Sequence, residues 1–258
     1  MSSKRILNIS SEKKSDVMQQ WSDDGSTGLT KGPARIIAGT GTVVQAIWCA
    51  TARPAEDSEG TKGSAIDKCV RTNTTCYMRG LKERIELRTN SGTSWQWRRI
   101  TFSVKGEAIN LGLFDPGTSP VARQTSEGMI RLFISDSTVI DRTTDLVFKG
   151  TNGTDWSNHF IAPTDQRRVT VHSDITRVIK SGNDSGTVMM MKRWYPMNKN
   201  LYYQDEESGD ETNTGMFSQN SKGGMGDYYV YDLFYPNGGT SADELSVDCE
   251  ARLYWHEK

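Results

Sequence analysis

Long apolar runs are missing from this chain, and so are the pairings that reactive side chains need. No stretch approaches the roughly 18 apolar residues of a membrane-spanning helix, and Met1 to Lys14 lack the apolar segment of a secretory leader. A soluble protein, intracellular at synthesis, is therefore expected. Proline is scarce, at 7 residues, and histidine scarcer, at 3. The four cysteines at 49, 69, 76 and 249 form no C-x-x-C pair and have no histidine placed to complete a metal-ligand set, so reduced thiols within strands are expected and neither metal nor cofactor is implied. His159, His172 and His256 are scattered, and no G-x-S-x-G or H-E-x-x-H motif accompanies them. The acids between Asp205 and Glu211 could in principle supply a glycosidase pair, but consecutive acids ordinarily mark a solvated turn. Gly39-Thr-Gly41 and Gly223-Gly-Met-Gly226 lack the strand-to-helix setting of a phosphate loop. These absences argue against an enzyme.

What the chain does have is alternation. From Leu245 to Trp255 every second residue (Leu245, Val247, Cys249, Ala251, Leu253, Trp255) is apolar while the intervening positions are mostly polar, the pattern of a half-buried strand. Leu81, Ile85 and Leu87 likewise oppose Lys82, Arg84, Glu86 and Arg88, and Ile100, Phe102 and Val104 oppose Trp97, Arg99, Thr101, Ser103 and Lys105. Further strands are expected at about 35–50, 143–149, 168–179, 188–203 and 227–235, and no long stripe of 3.6-residue period suggests a helix. Eight strands is the count of a jelly roll with two four-stranded antiparallel sheets. The fold class predicted is thus all-β, a single domain over residues 33–258, with long loops at 52–75, 106–128, 150–167 and 204–226. Residues 1–32 read as an N-terminal arm outside the barrel.

The net charge of −1 conceals an asymmetry. Between Tyr77 and Lys105 the basic residues Arg79, Lys82, Arg84, Arg88, Arg98, Arg99 and Lys105 outnumber Glu83 and Glu86, whereas between Leu201 and Glu250 eleven acids face only Lys222. A polyanion would be drawn to the first region and repelled by the second, as on a subunit with an inner and an outer surface; two solvated faces of an ordinary domain would look the same. Within the basic region Trp95, Trp97, Arg99 and Lys105 fall on the polar side of one strand, with Arg98 beside them. Aromatic faces stack on unpaired bases and guanidinium or ammonium groups hold phosphates, so this mixture suits single-stranded nucleic acid; it equally suits an interface anchor between subunits.

Several blocks resemble the capsid proteins of genomoviruses, small circular single-stranded DNA viruses related to geminiviruses. They are Tyr77-Met-Arg-Gly-Leu-Lys-Glu83, Trp95-Gln-Trp-Arg-Arg99, Arg177-Val-Ile-Lys-Ser-Gly-Asn-Asp-Ser-Gly186, Pro196-Met-Asn-Lys-Asn-Leu201, Gly224-Met-Gly-Asp-Tyr-Tyr-Val230 and Leu253-Tyr-Trp-His-Glu-Lys258. The resemblance implies a jelly-roll subunit that assembles with copies of itself into a T=1 icosahedral shell around circular single-stranded DNA, located in the virion and, during assembly, in the host nucleus. Proteins of that family carry an arginine-rich N-terminal arm that neutralises the genome and engages host nuclear import factors. Here only Lys4, Arg5, Lys13 and Lys14 stand in that region, so an arm outside this numbering is expected. The candidate DNA-binding residues are then Lys4, Arg5, Lys13, Lys14, Trp95, Trp97, Arg98, Arg99 and Lys105. A single-stranded DNA-binding protein that forms no shell, or a glycan-binding jelly roll, would be the alternatives.

Overall fold

The computed structural model describes residues 9–23, 28–64, 66–106, 108–109 and 119–258. Two antiparallel sheets face each other. The larger contains β1 (Glu12–Met18), β4 (Ala34–Ile37), β6 (Thr75–Thr89), β12 (Thr187–Ser208), β13 (Glu211–Ser218) and β15 (Glu244–Glu257) in the order β1-β15-β6-β12-β13, with β4 on the same edge of β15 as β1. The smaller contains β5 (Val44–Cys49), β7 (Trp95–Val104), β11 (Thr170–Ile179) and β14 (Asp227–Pro236) in the order β11-β7-β14-β5. A three-stranded flap, with β2 (Gln20–Asp23) between β3 (Leu29–Lys31) and β10 (Arg131–Phe133), lies against β5 and β15, and β8 (Gln124–Thr125) and β9 (Gly128–Met129) form a small hairpin. The class is all-β and jelly-roll-like.

The alternation of β15 places Leu245, Val247, Cys249, Ala251, Leu253 and Trp255 in the core, each at most 1% exposed. Leu245, Val247 and Cys249 pack with Ile85 and Leu87 of β6 and with Trp95, Trp97 and Phe234 of the smaller sheet, whereas Ala251, Leu253 and Trp255 join a second cluster with Met78 and Leu81. Burying each large apolar side chain contributes on the order of 2 kcal/mol.

Three expectations are corrected. First, the strand expected at about 143–149 is absent: residues through Val147 belong to helix α1 (Ser137–Val147), capped by the Asp136 carboxylate, which accepts from the Val139 amide. Its buried stripe is Val139, Ile140, Thr143, Thr144 and Val147. The helix covers the outward face of the smaller sheet, where Thr144 Oγ1 and Tyr231 Oη lie 3.2 Å apart and Phe148 packs on Tyr231. Second, within the segment 1–32 expected as an arm, residues 12–18, 20–23 and 29–31 are strands. Strand β1 pairs along β15 from Glu12↔Glu257 to Met18↔Ala251 and turns Lys14, Asp16 and Met18 inward. Lys14 meets Glu257 at 3.2 Å, both side chains almost fully buried, and Asp16 accepts from Arg53 at 2.6 Å. Third, the segment 204–226 is not simply a loop. Its first half continues β12 and returns as β13, tethered where Asp205 takes a bidentate pair from buried Arg71 (2.7 and 3.0 Å) and a further bond from Thr74. Burial disfavours charge on Asp205, but Arg71 outweighs it and holds the carboxyl below its ordinary pKa.

All four cysteines are free thiols; Cys49, Cys76 and Cys249 are buried in strands, while Cys69 is exposed in a turn, outside the strands where it was expected.

Candidate nucleic-acid interface

Most of the residues expected to face DNA are in the interior. Strand β7 lies between β11 and β14, and both of its faces are covered. Ile100 and Phe102 point outward into the layer formed with α1 and its flanking loops, and Phe102 stacks on Tyr229 at 5.5 Å. The polar face of the strand, with Trp97 and Arg99, points toward the larger sheet. Trp95 is 0% exposed, Trp97 3% and Arg99 4%. Arg99 donates to Asp232 through Nε (2.6 Å) and Nη2 (2.7 Å), and to Glu83 through Nη1 (2.6 Å). Arg131 from the flap reaches the same two carboxylates at 3.1 and 3.5 Å, and Trp97 Nε1 donates to Asp232 at 2.8 Å. Two cations and two anions thus neutralise one another between the sheets. Burial opposes the charge on Arg99, yet Asp232 and Glu83 outweigh it and keep the guanidinium protonated; in turn Arg99 and Arg131 hold Asp232 below the ordinary carboxylate range despite its burial.

Arg98, on the opposite face, is also spoken for. It forms a bidentate pair with Asp174 and donates to the carbonyls of His159 and Ala162, pinning the 149–165 loop over the sheet. Lys14 is buried against Glu257. Lys105 is half-buried and gives its ammonium to the Lys222 carbonyl. Lys13 is exposed; Lys4 and Arg5 lie outside the described residues. The expected constellation Trp95, Trp97, Arg98, Arg99 is therefore a structural core and cannot stack on or clasp a strand of DNA without unfolding the sandwich.

A different surface combines the same chemistry in the open. On the outward face of the larger sheet Lys82 has Arg252 and Trp194 as its cross-strand neighbours, and Arg84 has Glu250 and Lys192. Lys82, Arg84, Lys192 and Arg252 are exposed, and none of them forms an ion pair among the described residues. Trp194, 49% exposed, meets Tyr254 edge-on at 5.7 Å across Gly80. That meeting requires glycine: a Cβ at position 80 would stand 2.6 Å from both the Trp194 ring and the Tyr195 carbonyl oxygen. Arg252 lies over the Tyr254 ring at 5.0 Å and donates to Ser15 Oγ. Tyr77, beside His256 at 6.2 Å, extends the aromatic row. The sheet face changes sign further along, where Glu86, Asp248 and Glu250 gather; burial, with Glu86 and Glu250 nearby, raises the Asp248 pKa. The basic half of β6 was visible in the charge pattern, but Trp194, Tyr254, Lys192 and Arg252 were missed because they come from two other strands, and only the register brings them together.

Among the described residues no cluster of His, Cys, Asp and Glu is placed to hold a metal ion. No protein-family model and no curated protein matches the chain. Among solved structures it is similar to a mutant VP1 pentamer of Washington University polyomavirus in its unassembled form, at 7% identity over 98% of this chain and 97% of that one. The TM-score of 0.12 is too low for that likeness to bear on fold or function.

Proposed function

We propose that the chain is a structural capsid subunit, an eight-stranded jelly roll that self-assembles into a small T=1 icosahedral shell around circular single-stranded DNA and performs no catalysis. The observation that carries this reading is a nested pairing. Taking β4, β5, β6, β7, β11, β12, β14 and β15 as eight strands, the first pairs with the eighth, the second with the seventh, the third with the sixth and the fourth with the fifth, all antiparallel. A long folded-over ribbon rolled into two sheets has this order, and it is the architecture that the genomovirus resemblance implies. A fold alone hosts many activities, so the genome-binding part rests on the exposed face of Trp194, Tyr254, Lys82, Arg84, Lys192 and Arg252. Stacking on aromatic rings and charge contact with phosphates together suit unpaired DNA read without sequence preference.

Negative-stain electron microscopy of the purified chain tests the assembly: closed shells are expected, and monomers or small oligomers at every salt concentration would overturn it in favour of a DNA-binding module that builds no shell. Binding to oligo-dT tests the face. The double variant Lys82→Ala/Arg84→Ala should lower the salt slope by about 0.7 for each phosphate no longer neutralised, and Trp194→Ala should cost roughly 1–3 kcal/mol per unstacked base. An unchanged slope and affinity would remove DNA from this surface.

A further inference from the structure

The ionic network between the sheets is open on one side. At the edge of the sandwich where β11 faces β12, a narrow slot is lined by Trp97, Arg99, Ser173, Ile175, Arg177, Arg193 and Tyr195. Arg193 is the cross-strand neighbour of Glu83, but Glu83 is already engaged by Arg99 and Arg131. Arg177 sits beside Trp97 on the edge strand. Neither the Arg177 nor the Arg193 side chain has an ion pair or hydrogen bond among the described residues, while Glu83 and Asp232 are already neutralised by Arg99 and Arg131, so the slot carries two uncompensated guanidiniums. The slot has room inside for little more than a water molecule, enough for a carboxylate at its mouth and too little for a nucleotide base. Beside it β11 is the outermost strand of its sheet, with Ile175 and Val178 exposed and one row of backbone groups unpaired.

The complementary surface lies on the same chain but out of reach. Glu206, Glu207, Asp210 and Glu211 surround the turn joining β12 to β13; all four are exposed, and none has a basic partner among the described residues. Arg193 and Ser208 are separated by 15 residues of continuous β12, on the order of 50 Å of extended chain, so the hairpin cannot fold back onto its own slot. We propose that the acidic β12–β13 hairpin of one copy docks its carboxylates on Arg177 and Arg193 of the next. The contact is head-to-tail: each copy gives a hairpin at one end and receives one at the other, an arrangement that closes into rings when the rotation between copies allows. It rests on the self-assembly proposed above and names the surfaces that meet.

Charge exchange tests it on the full chain, with sedimentation velocity and electron microscopy as readouts. Glu207→Lys/Glu211→Lys changes only exposed side chains at the tip of the β12–β13 hairpin; Arg177→Glu/Arg193→Glu is paired with the milder Arg177→Gln, and the thermal midpoint of each reports its fold. Each double variant alone should associate at least tenfold more weakly than the parent, and mixing the two should restore association. Variants that assemble like the parent would overturn the docking while leaving the shell intact as a reading. Arginine variants that build normal shells but hold less DNA would assign the slot to phosphate instead and also overturn it. A parent chain that never associates would sink the capsid reading itself.

Discussion

Replacing Asp232 by alanine removes the acceptor for four buried donors: Arg99 Nε at 2.6 Å and Nη2 at 2.7 Å, Trp97 Nε1 at 2.8 Å and Arg131 Nη2 at 3.1 Å. It also leaves two guanidiniums facing the single carboxylate of Glu83 in a space nearly closed to solvent. Breaking a buried ion pair by removing one partner costs about 3–5 kcal/mol, because the orphaned charge keeps its desolvation penalty and loses its compensation. The donors share one cause, so their individual costs do not add. Against a total stability of roughly 5–15 kcal/mol, the loss should lower the thermal midpoint by roughly 10 °C in a chain of this size. The assay is urea and thermal unfolding of Asp232→Ala beside the quadruple variant Glu83→Met/Arg99→Met/Arg131→Met/Asp232→Leu, in which every member of the network is apolar. The quadruple variant should be closer to the parent than Asp232→Ala is, since apolar replacement removes the desolvation penalty together with the attraction. If Asp232→Ala unfolds within about 1 kcal/mol of the parent, the network contributes nothing and Arg99 has water or another partner.

Other outcomes follow from the same structure. Trp255→Ala should cost about 3–5 kcal/mol in urea unfolding, since the ring is fully buried, donates to Glu257 and lies under Arg53 at 5.0 Å; a loss below about 1 kcal/mol would place the ring outside the core. Burial pushes the Asp227 pKa up to about 7, although Ser218 donates to it from both its amide and its hydroxyl. A raised folded pKa means that the native state holds the proton more tightly than the unfolded chain. The corresponding stability is present below about pH 4, is lost as pH rises to about 7 and stays lost above; Asp227→Asn should flatten that part of the stability profile measured by urea titration, and an unchanged profile would refute the assignment. Gly80→Ala should lower the thermal midpoint in both the parent and a Trp194→Ala background, because the new methyl meets the Tyr195 carbonyl oxygen as well as the indole, and should weaken oligo-dT binding further only where the indole is present; an unchanged midpoint in both would show that the strand accommodates the methyl.

The C-terminal strand was legible because its period of two is unbroken and each apolar position meets the opposite sheet. The polar face of β7 was read the wrong way round, for a physical reason: alternation reports which residues share a face, not which face meets water. With Ile100 and Phe102 covered by α1 and its neighbouring loops, the second face could be charged and still buried once Glu83 and Asp232 neutralised it. A clue was present in Asp227-Tyr-Tyr-Val-Tyr-Asp-Leu-Phe-Tyr235, where Asp232 stands alone among apolar and aromatic neighbours; a carboxylate in that setting requires a cation from elsewhere in the chain. Helix α1 escaped notice because two of its five buried residues are threonines, which weaken the apolar stripe. Residues 12–18 looked like an arm because Lys14 and Asp16 carry charge into the interior, and their partners Glu257 and Arg53 are distant in sequence.

The position of β15 also sets the order in which the larger sheet can be made. It separates β6 from β1 and β4, and all three precede it in the chain, with Glu12 paired to Glu257 at the far extreme. Until β15 has emerged from the ribosome, β6 has β12 on one flank and an unpaired row of backbone donors and acceptors on the other, while β1 and β4 have no sheet to join. Closure must therefore wait until β15 has been made. A chain interrupted before Glu244 would expose a 15-residue strand edge to its neighbours on the polysome, and crowded synthesis would then favour aggregates over subunits.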